Sequence, residues 1–250
     1  MEEILKNPDK YIISYSPIGW VAASSEIMRL LGPLEGKRVL ELGCGLGHFS
    51  VFLAKQGAKV TGIDIGPNLI AASNAIAKIN QVNCEFLTTN MVSLPFQSQT
   101  YDVVIGIAVL HHLSESDVSK ALSETHRVLN EAGMAIFLES VENSKLFNFI
   151  QNLFPTGRTS DYRPSILQRG AWKDYVRLLD ERDMTNRELI SEGKKHFRSV
   201  RISPYGFLFR LIDLIGKKHR QTIYRLDEVI FKMFPPLGWL SQSVLVEYRK

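Results

Sequence analysis

Cysteine is scarce in this 250-residue chain: there are only Cys44 and Cys84, and neither sits in a metal-ligand spacing. That scarcity excludes a disulfide-stapled secreted scaffold and favours a reducing cytoplasm. Long apolar runs are also missing. No stretch reaches the roughly 18–20 uninterrupted apolar residues that span a bilayer. The N-terminus, MEEILKNPDKYIISYSP, has early acidic residues and no apolar core, so it does not read as a signal peptide. A dense basic stripe is absent as well. The formal net charge is only +4, and the nearest cluster, Lys217-Lys218-His219-Arg220, is short enough to be a solvated helix end. This argues against a nucleic-acid partner. There is no internal repeat and no low-complexity tract. What remains is the composition of an ordinary globular protein, long enough for one large domain.

From residue 37 to 140 the pattern alternates strand and helix. Lys37–Leu42, Lys59–Ile65, Cys84–Thr88, Tyr101–Val109 and Met134–Glu139 read as strands. His48–Gln56 reads as a helix with Phe49, Phe52 and Leu53 on one face. A second helix begins at Pro67, where a first turn tolerates proline, and runs to about Asn80. Ser114-x-x-Asp117 opens a third as a capping box with Asp in place of Glu, and Gly133 is expected to end it. Strands alternating with helices predict an α/β fold with a parallel sheet. Further on, Glu142–Phe154 reads as an amphipathic helix, 155–165 as a loop, and Thr185-x-x-Glu188 as a second capping box. Phe197–Ser203 and Ser243–Tyr248 read as strands six and seven, with helical stretches at about 206–217 and 221–234 between them. The boundaries expected within this single domain are 1–34 for N-terminal cap helices, 35–140 for a core, and 141–250 for further helices and the last two strands.

The stretch VLELGCGLGHFS, residues 39–50, runs from a strand through a glycine turn into a helix. A dinucleotide fingerprint needs G-x-G-x-x-G; Gly43 and Gly45 fit, but the third place is His48. A phosphate-binding loop of the Gly-Lys-Ser/Thr kind would need a lysine that is not there. Glu41, at the mouth of the turn, would repel phosphates and suit a cationic ligand. Asp64 closes the second strand, where a carboxylate can accept both hydroxyls of a ribose. The ligand so described has a ribose, little or no phosphate, and a positive charge.

These segments, with VTGIDI, LPFQSQTYDVVIGIAVLHHL and HRVLNEAGMAIFLES, strongly resemble the class I S-adenosylmethionine-dependent methyltransferases of small-molecule type. The resemblance is close over residues 37–140 and looser elsewhere. It implies a three-layer, Rossmann-like, seven-stranded sheet of order 3-2-1-4-5-7-6 with strand seven antiparallel, a helical N-terminal cap and a C-terminal helical insertion. It implies S-adenosylmethionine as cofactor, S-adenosylhomocysteine as product, and no metal. It places Glu41, Gly43, Cys44, Gly45 and Gly47 around the methionine part and ribose edge, Asp64 on the ribose hydroxyls, and Ile65 over one adenine face. Asn90 and Met91 sit where the family often has an acid followed by a small or apolar residue; the amide of Asn90 can still meet the adenine edge. Ile107 and Ala108 fall beside the reactive methyl, and Tyr11, Tyr15 and Trp20 in the cap.

A base is needed only where the acceptor loses a proton. The candidates are His111 and His112, just past strand four, although such a pair can also be plain architecture; His48 is read as structural or a cofactor-side contact. No NPPY-type tetrapeptide follows strand four, no Pro-Cys nucleophile is present, and no acidic cluster suggests a metal. The reading that remains is O-, N- or C-methylation of a small, partly hydrophobic acceptor by a cytoplasmic monomer or homodimer. Phe147, Ile150, Phe154, Tyr162, Arg163 and Trp172 follow strand five, where the resemblance implies an acceptor pocket; Arg158, Arg163 and Arg169 either meet an anionic acceptor or face water. The apolar helices at 206–234 are expected first to pack onto the sheet; they can also form a lid, a dimer face or a membrane-surface patch. The rivals are a quinone- or lipid-type methyltransferase at the membrane, an RNA methyltransferase, and a non-catalytic partner with the same fold.

Overall fold

The computed structural model describes residues 2–13, 21–142, 167, 184–208, 220–241 and 243–250. Seven strands form one sheet: β1 Arg38–Leu42, β2 Lys59–Asp64, β3 Cys84–Thr88, β4 Tyr101–Ile107, β5 Leu129–Ser140, β6 Ser199–Tyr205 and β7 Ser243–Arg249. Their order is β3-β2-β1-β4-β5-β7-β6. The first five run parallel, and β7 is antiparallel to both β5 and β6. This is the topology the resemblance implies.

β1 shows why the sheet is covered on both faces. Four of its five residues are buried, and consecutive ones face opposite sides. On one side Leu40, Leu42, Val104, Phe137 and Val246 pack with Val118 and Leu122 of helix α5, Glu115–Val128, and Leu189 of α6, Asn186–Lys194. On the other, Val39, Val60, Ile105, Ile136 and Leu138 pack with Ile27 and Leu31 of α2, Val21–Leu31, and Phe49 and Leu53 of α3, His48–Lys55. Helix α4, Pro67–Ile79, joins α3 through Ile76, Ala72 and Val51. Helix α1 is Glu2–Lys6, and α7, Arg220–Met233, lies between β6 and β7 in sequence.

In both predicted capping boxes the N-cap side chain bonds as expected. Ser114 accepts the Asp117 N–H at 3.2 Å, and Thr185 accepts that of Glu188 at 3.1 Å. Such a cap is worth about 1 kcal/mol. Two expectations are corrected. Gly133 does not end α5: the helix stops at Val128, and Leu129 already pairs with Tyr101 in the sheet. From there β5 advances to Met134 while β4 advances only from Tyr101 to Val103, so Gly133 lies in an irregular part of the ladder. Strand β4 also ends at Ile107 rather than Val109. Ala108 is left-handed, with φ +53°, and turns the chain. The stretches 143–166, 168–183 and 209–219, which hold the acceptor-side candidates and the first C-terminal helical stretch, lie outside the described residues, as do Tyr15 and Trp20.

Gly193 in α6 gives a stability test. A glycine-to-alanine change inside a helix ordinarily gains roughly 1 kcal/mol. Here a Cβ would collide with the ring of Tyr248, which is fully buried and donates its hydroxyl to Leu189 O at 3.0 Å. Gly193→Ala is expected to lower the unfolding free energy by ~1–3 kcal/mol in urea denaturation. A gain in stability would show that the Tyr248 ring yields.

Candidate functional site

The order of the sheet reverses between β1 and β4, so the loops leaving those strands diverge and open a crevice at their carboxyl ends. The glycine turn occupies it. Gly43, Gly45 and Gly47 have φ of +65°, +53° and +72°. At Gly43 the demand is twofold, because a Cβ would also strike the side chain of Val109, arriving from beyond β4. At Gly45 a Cβ would meet nothing within 4 Å, so a ligand can approach this backbone closely. Two bonds hold the turn from below: Cys44 N–H to Ile63 O at 2.9 Å, and Ser73 Oγ to Gly45 O at 2.8 Å.

Asp64 joins this turn to the end of β2. Its carboxylate accepts the N–H of Gly45 at 3.0 Å and that of Gly66 at 2.8 Å. Next to it Ile65 is 71% exposed, and Leu46 of the glycine turn and Leu69 in the first turn of α4 are also exposed. An apolar side chain so open, adjoining a hydrogen-bonding carboxylate, suits a ligand with one flat face and one polar edge. Asn90 is exposed and its carbonyl oxygen accepts Val92 N–H at 3.1 Å, which leaves the amide NH2 as its donor. Met91 is buried in the core beneath. Ile107 and Ala108 are half-buried at the end of β4, where Ala108 donates its N–H to Leu138 O at 2.7 Å. A left-handed alanine is a strained backbone held by its surroundings.

Residues 39–133 match the family model described as a methyltransferase domain. The ubiquinone biosynthesis O-methyltransferase of Coxiella burnetii (strain RSA 493 / Nine Mile phase I) is 32% identical over 158 residues, 59% of this chain and 66% of that protein. Residues 39–133 thus form a methyltransferase domain, and the chain has the fold of solved S-adenosylmethionine-dependent methyltransferases. It spans between about half and just under two thirds of the length of the curated relatives it matches. An S-adenosylmethionine dependent methyltransferase from Mesorhizobium loti shares the fold with a TM-score of 0.61 at 16% identity, over 92% of this chain and 98% of that one. The Haemonchus contortus phosphoethanolamine N-methyltransferase 2, solved with phosphomonomethylethanolamine and S-adenosylhomocysteine, also scores 0.61, at 17% identity over 93% and 52%. At such identities these structures speak for the fold alone.

The remaining candidates divide by burial. Tyr11 stacks on His48 with ring centroids 6.3 Å apart. Its segment is tied down by Asn80, which accepts Ile13 N–H and donates to Tyr11 O, both at 2.8 Å. Burial lowers the pKa of His48. Cys44 is buried, and desolvation pushes its thiol up, which suits a filler and not a nucleophile. His112 is exposed, whereas His111 is buried with Nδ1 2.8 Å from the carboxylate of Glu139. Sequence reasoning missed Glu139. Its signal was a carboxylate inside the apolar run IFLES, which demands buried donors. Among the described residues no group of three or more His, Cys, Asp or Glu side chains is placed to hold a metal ion.

Glu41 needs correction. It does not stand at the mouth of the turn; it is buried beneath it and accepts the hydroxyl of Ser50, a fully buried residue in the first turns of α3. Strand alternation turns it under the helix, away from the open side of the turn. Burial pushes its pKa up to about 8, opposed by the Ser50 hydrogen bond and assisted by the charge of Asp64. The unfolded chain ionises near 4.5 while the folded one keeps the proton, so stability contributed below 4.5 is lost as pH rises towards 8. The slope is on the order of 1.4 kcal/mol per pH unit. Glu41→Gln keeps an acceptor and cannot ionise. Urea titrations from pH 5 to 8 should therefore show the variant gaining steadily on wild type; parallel stability curves would contradict the assignment.

Proposed function

We propose that this chain transfers the methyl group of S-adenosylmethionine to a small, partly hydrophobic acceptor. The observation that carries the reading is the pairing of Asp64 with Gly45 at the switch point. It sets a carboxylate, an open glycine backbone and the exposed Ile65 in one short arc. These residues fit the cofactor. Asp64 would hold the ribose hydroxyls, Ile65 one adenine face, Asn90 and Met91 the adenine edge, and Gly43, Cys44, Gly45 and Gly47 the methionine part, with Ile107 and Ala108 beside the methyl. Tyr11 would belong to the cap. When bound, the cofactor supplies a methyl group already activated as a sulfonium. The protein's task is to hold the acceptor in line and keep water away. His111 and His112 are the groups near β4 that can take a proton where the acceptor has one to lose.

A second reading, a quinone- or lipid-type acceptor met at a membrane surface, is favoured by α7. Leu226, Val229 and Met233 recur on one side of that helix and are 49–66% exposed, and Phe234 and Trp239 follow. Arg225 and Lys232 on the same helix are exposed and basic. The Coxiella relative, a ubiquinone biosynthesis enzyme by name, points the same way. No helix among the described residues is long and apolar enough to cross a membrane, so any such contact is peripheral. Co-sedimentation with anionic liposomes separates the two readings: retention by the vesicles supports the second, and a protein left in the supernatant removes it.

Asp64→Ala is expected to weaken S-adenosylmethionine binding at least tenfold in calorimetry, or ~1.4 kcal/mol. An affinity within twofold of wild type, ~0.4 kcal/mol, would sink the ribose assignment. The acceptor is found by incubating the protein with methyl-labelled cofactor and a metabolite pool, then reading which compounds gain the label.

A further inference from the structure

Glu139 ends the buried part of β5 and is itself fully buried. Two backbone donors and a histidine ring nitrogen converge on its carboxylate, all from the segment that follows β4. One oxygen accepts the N–H of Val109 at 3.0 Å and that of Leu110 at 2.9 Å; the other lies 2.8 Å from Nδ1 of His111. Immediately before them stands Ala108, turned left-handed and tied to Leu138 O. A single carboxylate thus holds three successive residues where the chain leaves the strand beside the glycine turn. Backbone N–H groups can only donate, so the carboxylate that takes two of them acts here as an acceptor. With the carboxyl ionised, His111 Nδ1 carries the hydrogen and the ring's lone pair is on Nε2.

We propose that Glu139 is a positioning residue for methyl transfer to a hydroxyl acceptor, acting through His111. It selects the tautomer whose Nε2 can receive the acceptor's proton, and it stabilises the imidazolium that results. In that step the acceptor's O–H bond breaks, its electron pair stays on oxygen, and a new N–H bond forms at Nε2. The buried carboxylate pairs with the charged ring until the proton returns to solvent. This assignment rests on the methyl-transfer reading and narrows it to acceptors that must lose a proton, such as phenols. His112 has no such partner in the described contacts beyond the ring of His111, 4.2 Å away.

The decisive variant is Glu139→Gln. It keeps the size and one oxygen to accept from Val109 and Leu110, but presents an NH2 donor to Nδ1. The ring must then carry its hydrogen on Nε2, the wrong tautomer for a base. Long-range proton–nitrogen NMR of the histidine rings, with the His111 signal assigned by its loss in His111→Ala, should show Nδ1–H in wild type and Nε2–H in the variant. Calorimetry should find S-adenosylmethionine affinity within twofold of wild type. Turnover of the phenolic probe 3,4-dihydroxybenzoate should fall at least 30-fold in Glu139→Gln and in His111→Ala, and no further in the double variant. A wild-type ring protonated on Nε2, an unchanged tautomer in Glu139→Gln, or losses that multiply in the double variant would each overturn the proposal. The wild-type spectrum decides even where the variant fails to fold. A wild type that does not bind S-adenosylmethionine would instead remove the methyltransferase reading and leave the tautomer result standing.

Discussion

The site is organised by the carboxylate of Asp64 reaching from the end of β2 to the amide of Gly45 in the turn after β1. Two neighbouring parallel strands end side by side, and their loops would otherwise move independently. The same carboxylate also accepts Gly66 N–H, the cap position of α4. One side chain therefore fixes the exit of β1, the exit of β2 and the entry to α4. Glu139 performs the corresponding task on the other side of β1, at the exit of β4. Glu41 lies between them under the turn, against α3. In a parallel sheet the carboxyl ends of the strands face amides that no ladder satisfies, and buried or half-buried carboxylates are well suited to collect them.

These three acids differ in what they can still do. Asp64 is partly exposed, so its hydrogen bonds to the turn are compatible with further donors from a ligand. Glu139 is fully buried and engaged on both oxygens, so it acts through what it holds. Glu41 is buried with a hydroxyl as its partner and has its ionisation pushed towards neutrality. A cationic group brought close to it would favour its charged form. The carboxyl that the sequence seemed to place at the mouth thus lies underneath the turn, hydrogen-bonded to Ser50 and held in its neutral form by burial.

Much of this was legible in the sequence because it follows from local rules. The strands and capping boxes come from periodicity and from Ser114 and Thr185. The three glycines announce a turn that no other residue can make, and the strand order came through the family resemblance. What was not legible depends on partners distant in sequence. Glu41 reads as solvent-facing until Ser50 is placed against it, and Glu139 reads as a strand end until Val109, Leu110 and His111 fold over it. Gly133 carries a common helix-stop signal, but the pairing of Leu129 with Tyr101 ends α5 earlier. The left-handed Ala108 has no local signal at all; it is held by Leu138 O and by the residues Glu139 collects.

The histidine pair shows how burial separates residues that sequence treats alike. Two adjacent rings after β4 offered two equal candidates for a base. One of them is exposed, its ring set against that of its neighbour. The other is clamped by a buried carboxylate that itself is clamped by two backbone amides. Such a chain of supports is what turns a histidine from a surface group into one of defined tautomer, since the hydrogen on one nitrogen decides what the other can do. The sulfonium donor needs no such help, being already activated. A supported histidine beside it has a chemical purpose only if the acceptor must part with a proton. The acid at the end of β5, more than the glycine turn, therefore bears on which acceptors this chain takes.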